Sequence, residues 1–417
     1  MSGNLGVITE RIEADIAALA NRTDPGRPYT RRAFTPRFLE GRAYLEARMR
    51  AAGLETRIDA GGNLIGRRAG TGLRPKTILL GSHSDTVPDG GRFDGIAGVV
   101  AALEVARALA DRNIALTHDL EIVDFLGEEV TVFGVSCVGS RAMAGVLDPA
   151  WLERKSEEVT LREGIAAMGG DAARLAAAAR NDIAAFLELH IEQGPVLDAA
   201  SEDIGVVTAI AGITRVEIVV EGRADHAGTT PMTRRSDALA AGAALVLAIE
   251  AEAGRLAAGT RHFAATVGAF SIEPGAANVV PALARLLVDA RAEAQADMEL
   301  FVAWLDQAAQ STAQARKIGI ALRIVSQNPP VAGDAGLVAR LDAACARLGV
   351  KHRRMASGAG HDTAWIARVA PAAMIFVPCR GGRSHTPEEA SESGEIALGA
   401  AVLLETVIDI DTTRETR

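Results

Sequence analysis

Thr77-Ile78-Leu79-Leu80-Gly81-Ser82-His83-Ser84-Asp85-Thr86 opens as an apolar strand and closes in a polar run holding a histidine and an aspartate. Residues 99–109 then keep apolar positions at helical spacing, and 120–126 (LEIVDFL) is a second apolar strand ending at Gly127-Glu128-Glu129. Strand, helix and strand, with the strands almost continuously apolar, predict a parallel sheet covered on both faces. Upstream, Ile8, Ile12, Ile16 and Leu19 recur at helical spacing, and 38–49 repeats the pattern before Gly53. The Ala-rich stretch 161–179 reads as helix, with packing and surface roles.

A second block begins near Gly212. Strands are expected at 213–220, 266–272, 285–291 and 320–325, with helices at 237–253 and 298–313. That β-α-β-β-α-β order is a small split α+β sandwich. After Asn328-Pro329-Pro330 come a helix at 337–348, a strand at 373–377 and a final helix. The expected architecture is therefore one α/β domain over 1–211 and 329–417, built on a mixed, largely parallel sheet covered by helices. It is interrupted by an inserted α+β domain over 212–328.

The 417 residues carry 44 Lys and Arg against 53 Asp and Glu, a net charge of −9, which argues against a nucleic-acid partner. Hydrophobic residues are 48% and charged residues 23%, a globular balance. Met1-Ser2-Gly3-Asn4 lacks the basic start of a signal peptide, and no apolar run is long enough to span a bilayer. Cys137, Cys345 and Cys379 are an odd set with no CxxC pair, so neither a disulfide framework nor a zinc knuckle is expected. These features predict a cytoplasmic protein with no membrane partner.

Five polar runs follow apolar strands. They hold His83 with Asp85, Asp94, Glu128 with Glu129, His190, and His385. Ligand-binding residues in open α/β sheets gather at the carboxyl ends of strands. Singly, each run has a bland reading: a loop histidine, or a solvated acidic pair at a helix start. Together they supply His, Asp and Glu in the mix that suits zinc or a similar divalent ion. Asp85, two residues beyond His83, is placed to orient the imidazole from its far nitrogen. Adjacent Glu128 and Glu129 can divide the work, one reaching a metal and the other acting as a base. His118, His262 and His352 have no acidic or thiol partner at ligand spacing and read as surface or packing residues.

HSDT, GGRFDGIAGV, GEE, ELHIEQGPVL, GRADHAGTTPM, PGAANVVP, DAR, SGAGHD and SHTPEE follow one another along the chain. In that order they resemble the amidase, hydantoinase/carbamoylase branch of the di-zinc aminoacylase/carboxypeptidase superfamily (peptidase family M20). The resemblance runs through essentially the whole chain, and ELHIEQGP and ADHAGTTPM are its most specific parts. The branch includes N-carbamoyl-L-amino acid hydrolases, allantoate amidohydrolases and β-ureidopropionases. It implies metal-dependent hydrolysis of a linear C–N bond in a ureido or amide compound bearing a carboxylate, with the L form preferred. Two alternatives stay open: an N-acyl amino acid amidohydrolase or dipeptidase with the same metals, and a catalytically silent ureido-acid binding protein.

The resemblance also implies residue roles. His83, Asp94 and His190 would hold one divalent ion, and Asp94, Glu129 and His385 a second, with Asp94 shared. The ions would be zinc, exchangeable for manganese, cobalt or nickel. Glu128 would be the general base, with Asp85 supporting the site. From the inserted domain, His226 would stabilise the oxyanion, while Asn278 and Arg291 would grip the substrate carboxylate, Arg through its planar fork. Gln193, Gly360 and His361 fill further pocket positions. The inserted domain would serve as a lid and as the interface of a homodimer. The sequence departs from the branch at Val130-Thr131-Val132-Phe133, where relatives carry Gly-x-Arg-Phe, and at Thr386, where many carry Asn.

Overall fold

A computed structural model describes residues 6–412. The Met1–Asn4 stretch behind the signal-peptide expectation lies outside them. The chain separates into two compact units. One takes the chain up to Thr208, Gly333–Met355 and the chain from His361; the other takes Ala209–Ala332 and Ala356–Gly360.

The first unit is built on a nine-stranded sheet. Its centre is four parallel neighbours in the order Asp119–Phe125, Thr77–His83, Ile183–Ile191 and Ala372–Val377. Leu64–Arg68 and Glu55–Ile58 extend one side in antiparallel pairing, and Ile204–Ile210 extends the other. All seven residues of Thr77–His83 are buried, the pattern of a strand covered on both faces. Helix Ile96–Asp111 is buried along nearly its whole length, which its small aliphatic sequence permits. Its two buried charges are paired: Glu104 with Arg11 at 2.6 Å and Arg107 with Asp15 at 2.7 Å, both partners on helix Thr9–Ala20.

The second unit runs strand Gly212–Glu221, helix Ala238–Ala257, strands Phe263–Glu273 and Leu283–Ala292, helix Gln295–Arg316 and strand Gly319–Asn328. All its sheet pairings are antiparallel, with Leu283–Ala292 and Gly212–Glu221 central. Strand Gly212–Glu221 alternates, with Val216, Ile218 and Val220 buried against Leu245, Ile249, Phe301 and Leu305 of the helices. Segment Ala356–Gly360, which sequence left with the first domain, belongs to this unit; the Ser357 carbonyl accepts from the Ala211 N–H at 2.8 Å.

Helix over 161–179 is the local expectation that fails. The helix stops at Ala167, and a separate 3-10 turn spans Ala172–Ala177. Gly169 and Gly170 stand between them, with Gly169 at φ 86°, so the backbone turns where Ala content alone predicts continuity. Among the described residues no helix is long and apolar enough to cross a membrane, and all three cysteines are buried free thiols.

Candidate metal centre

Because the four central strands are parallel, their carboxyl ends share one edge of the sheet. His83 is the last residue of its strand, His190 the penultimate residue of its own, and Glu128 and Glu129 lie just beyond Phe125. His385 follows strand Ala372–Val377 after a short loop, and Asp94 comes from the loop between His83 and helix Ile96–Asp111. Gly95 makes this last approach possible. Its φ is 65°, and a Cβ there would lie 2.4 Å from the His83 ring.

Two trios form around Asp94. The donor atoms of His83, Asp94 and His190 all lie within 4.8 Å of one another, as do those of Asp94, Glu129 and His385. Asp94 Oδ1 is 3.0 Å from His190 Nε2 and 3.7 Å from His83 Nε2. Its other oxygen is 3.0 Å from His385 Nε2, which lies 3.1 Å from Glu129 Oε1. His83 Nδ1 donates to the Asp85 carbonyl at 3.1 Å and His190 Nδ1 to the Ile191 carbonyl at 2.8 Å. A carbonyl only accepts, so each Nδ1 carries a proton and each Nε2 is the ring atom left to face Asp94, where a bound cation would take the place of its proton. Imidazole lone pairs and carboxylates sharing one central Asp are a donor set that fits a pair of borderline divalent ions.

Asp85 acts differently from its expected role. Its carboxylate stands 3.6 Å from His83 Nδ1, too far for a good hydrogen bond, and the ring is held instead by the Asp85 carbonyl. The carboxylate oxygens accept from the backbone N–H groups of Glu128 and Glu129, at 3.3 and 3.2 Å. Asp85 therefore orients the strand end that carries the two glutamates as well as the histidine ring.

Glu128 belongs to neither trio. Its Oε2 lies 3.7 Å from His83 Nε2, and its Oε1 is 3.6 Å from the Cys137 thiol. Burial raises its carboxyl well above the usual range; His83 opposes this, while Glu129 and Asp362 reinforce it. Burial opposes ionisation of Asp94 too, but hydrogen bonds from His190 and His385 overcome it and hold that carboxyl well below its ordinary value. The hydrogen bonds from His385 to Asp94 and Glu129 push its imidazole up to about 11. Burial and the neighbouring His190 drive His361 well down, so it is neutral. Acids that draw protons onto facing imidazoles make a site where a dication replaces those protons.

The expected pocket residues divide between the units. In the first, His361 is buried edge-on against His190, with ring centroids 4.5 Å apart. Gln193 turns its amide inward, donating to Asp94 Oδ2 at 3.0 Å. In the second, exposed His226 pairs with Val279 next to Asn278. Its Nδ1 accepts from the N–H groups of Gly228 and Thr229 at 3.1 and 3.2 Å, which leaves the neutral ring's proton on Nε2. Arg291 donates to Asp289 at 2.9 Å and to the Gly358 carbonyl at 2.8 Å, and Gly360 is exposed. Val130 and Val132, at the departure from the branch motif, are 66% and 37% exposed, whereas Thr131 between them is buried.

Sequence reading missed several buried acids around the trios. Glu188, in the strand of His190, accepts from Ser82 at 2.7 Å and from the Thr363 N–H at 3.1 Å. Asp362 accepts from Ser140 at 2.5 Å, and Glu389 accepts from the backbone at Phe93 and Asp94. All three lie inside the motif runs, and nothing local distinguishes a buried acid from a solvated one.

The fold and the paired trios define an α/β protein with a candidate two-metal centre. The chain belongs to peptidase family M20/M25/M40, whose profile matches residues 79–409. It is 38% identical to the N-carbamoyl-L-amino-acid amidohydrolase of Paenarthrobacter aurescens, over 96% of this chain and 98% of that one. It is 34% identical to the allantoate amidohydrolase of Bacillus subtilis, over 90% of each chain. Among solved structures, a hydantoinase/carbamoylase family amidase from Burkholderia ambifaria superposes with a TM-score of 0.89 at 34% identity, over 98% of this chain and 99% of its own.

Proposed function

We propose that this protein hydrolyses the linear C–N bond of an N-carbamoyl amino acid or a related ureido acid such as allantoate. The observation that carries the reading is Glu128, a partly buried carboxylate 3.7 Å from His83, next in sequence to Glu129 and part of neither trio. Two divalent ions held by His83, Asp94 and His190 and by Asp94, Glu129 and His385, zinc or manganese, cobalt or nickel, would polarise the scissile carbonyl and acidify water there. Glu128 takes the proton from the attacking water as the C–O bond forms. It returns that proton to the leaving nitrogen as the C–N bond breaks. Asp85 holds the backbone of Glu128 and Glu129 in place through both steps.

His226, with its Nε2–H free of the Nδ1 turn contacts, serves as the donor to the developing oxyanion, and Asn278 and Arg291 bind the carboxylate. The unit over 212–328 acts as a lid and as the contact of a homodimer in the cytoplasm, the state to be checked by light scattering.

The test is release of ammonia from ureido compounds, and of free amino acid from N-acetyl ones, by the manganese- or zinc-loaded protein. The panel is N-carbamoyl-L-amino acids, allantoate, β-ureidopropionate and N-acetyl amino acids, each beside a Glu128→Gln control. Ammonia from a ureido compound, abolished in the control, supports the reading and names the substrate. Turnover of N-acetyl compounds alone moves the protein to the acylase side, and silence on all substrates with metal bound points to a binding protein.

A further inference from the structure

Glu388 and Glu389 are adjacent in sequence and opposite in environment. Glu388 is exposed and paired with Arg383 at 3.2 Å, an ordinary surface contact. Glu389 is 3% exposed, and a carboxylate so buried is tolerated only when donors surround it. Its donors come from two places. Oε1 accepts from the backbone N–H groups of Phe93 and Asp94, at 2.8 and 3.0 Å. Oε2 accepts from the Ser384 hydroxyl at 2.7 Å, one residue before His385. The chain at Gly91 closes over the same carboxylate, where a Cβ would lie 1.9 Å from Oε1.

We propose that Glu389 is the positioning residue that fixes the spacing of Asp94 and His385, and thereby the affinity of the cation site they share with Glu129. This rests on the two-metal reading above. The two trios differ in what else holds them. His83 and His190 are buried on neighbouring strands, each with Nδ1 tied to a backbone carbonyl. His385 sits in a loop at φ 56° with its side chain 47% exposed. Besides its direct contacts with Asp94 and Glu129, its loop is tied to the Asp94 loop by the short path His385, Ser384, Glu389, Asp94. Loss of the Glu389 carboxylate should therefore weaken the Asp94–Glu129–His385 site more than the other, which shares Asp94 alone and keeps its two histidines tied to the strands. Partners that orient metal ligands typically change metal affinity about 10–100-fold.

The experiment uses the full chain, stripped with chelator and titrated with zinc against a chromogenic competitor, with metal counted by mass spectrometry after gel filtration. Wild type is expected to take two ions and His385→Ala one. Glu389→Ala should keep one tight ion and bind the second about 10–100-fold more weakly. Glu388→Ala should match wild type. At saturating zinc, Glu389→Ala should recover kcat with KM unchanged, which a general packing defect would not allow. Adding Glu389→Ala to His385→Ala should lower the remaining ion's affinity by less than Glu389→Ala lowers that of the second ion. A folded Glu389→Ala protein that binds both ions as wild type does, or loses affinity equally at both sites, overturns the proposal. Should Glu389→Ala fail to fold, Ser384→Ala decides instead, since it removes one hydroxyl and should weaken the second ion alone. Wild type binding fewer than two ions, or His385→Ala losing none, rejects the metal reading itself.

Discussion

Asp94 Oδ1 lies 3.0 Å from Nε2 of His190, and this contact joins the loop before helix Ile96–Asp111 to the end of strand Ile183–Ile191. Its second oxygen repeats the distance to His385. One carboxylate thus faces both trios, and every ion placed there depends on it.

Asp94→Asn should therefore remove both ions rather than one, because an amide offers one neutral oxygen where the acid offers two charged ones. Turnover is expected to fall by at least about 10³-fold, since the centre acts as a unit. Metal analysis checks it: an Asp94→Asn protein holding two ions after dialysis would refute the shared role.

Glu128→Gln should separate chemistry from metal binding. Glu128 lies outside both trios, so metal content should stay at the wild-type value while kcat drops about 10²–10⁴-fold, the range for a lost general base. Metal counting and steady-state kinetics on one preparation test this, and loss of metal in the variant would assign Glu128 to a ligand role.

Chelation should lower the thermal midpoint as well as stop turnover. The trios exist only in the folded chain, so each ion at 100 times its dissociation constant adds about 2.7 kcal/mol to folding. Melting with and without chelator, then with zinc or manganese restored, measures it. An unchanged midpoint would mean that the trios hold no ion in solution.

A pH effect on stability is expected far from the centre. Asp411, on the last helix, accepts from the N–H groups of Thr117 and His118, each at 2.9 Å, and lies 2.8 Å from His118 Nδ1. Burial opposes its charge, but the hydrogen bonds from Thr117 and His118 prevail and hold the carboxyl below its usual range. A depressed acid stabilises the fold above its unfolded pKa of about 3.9, and that contribution is lost as pH falls through the lower folded value. Asp411→Ala should cost about 1–3 kcal/mol at neutral pH, because two backbone donors lose their partner. Urea melts of the metal-free proteins should show that gap closing below about pH 4. A gap that persists at pH 2 would mean packing, not charge, holds the helix.

The strand-end runs made most of the site legible. His83, Glu128, Glu129 and His190 each directly end or follow an apolar stretch, and periodicity marks such stretches without help from the rest of the chain. What stayed hidden was pairing across long separations. The acid next to His118 in sequence, Asp119, pairs with Arg67, and the partner of His118 is Asp411, 293 residues away. Glu389 looks like half of a solvated acidic pair until the chain at Gly91 covers it. Two residues beyond His83, the carboxylate of Asp85 reads as that ring's partner, but the fold offers it the N–H groups of Glu128 and Glu129 instead.

By itself, then, the sequence determined the elements and the kinds of side chain at their ends, because helical and strand periods are local properties and polar runs interrupt them visibly. Only the tertiary structure decided the order of the strands. Ile183–Ile191 lies beside Thr77–His83 and between it and Ala372–Val377, and that order brings His190, Asp94 and His385 together. Strands pair through backbone N–H and C=O groups that are the same at almost every residue, so the choice of neighbour leaves no local mark in the sequence.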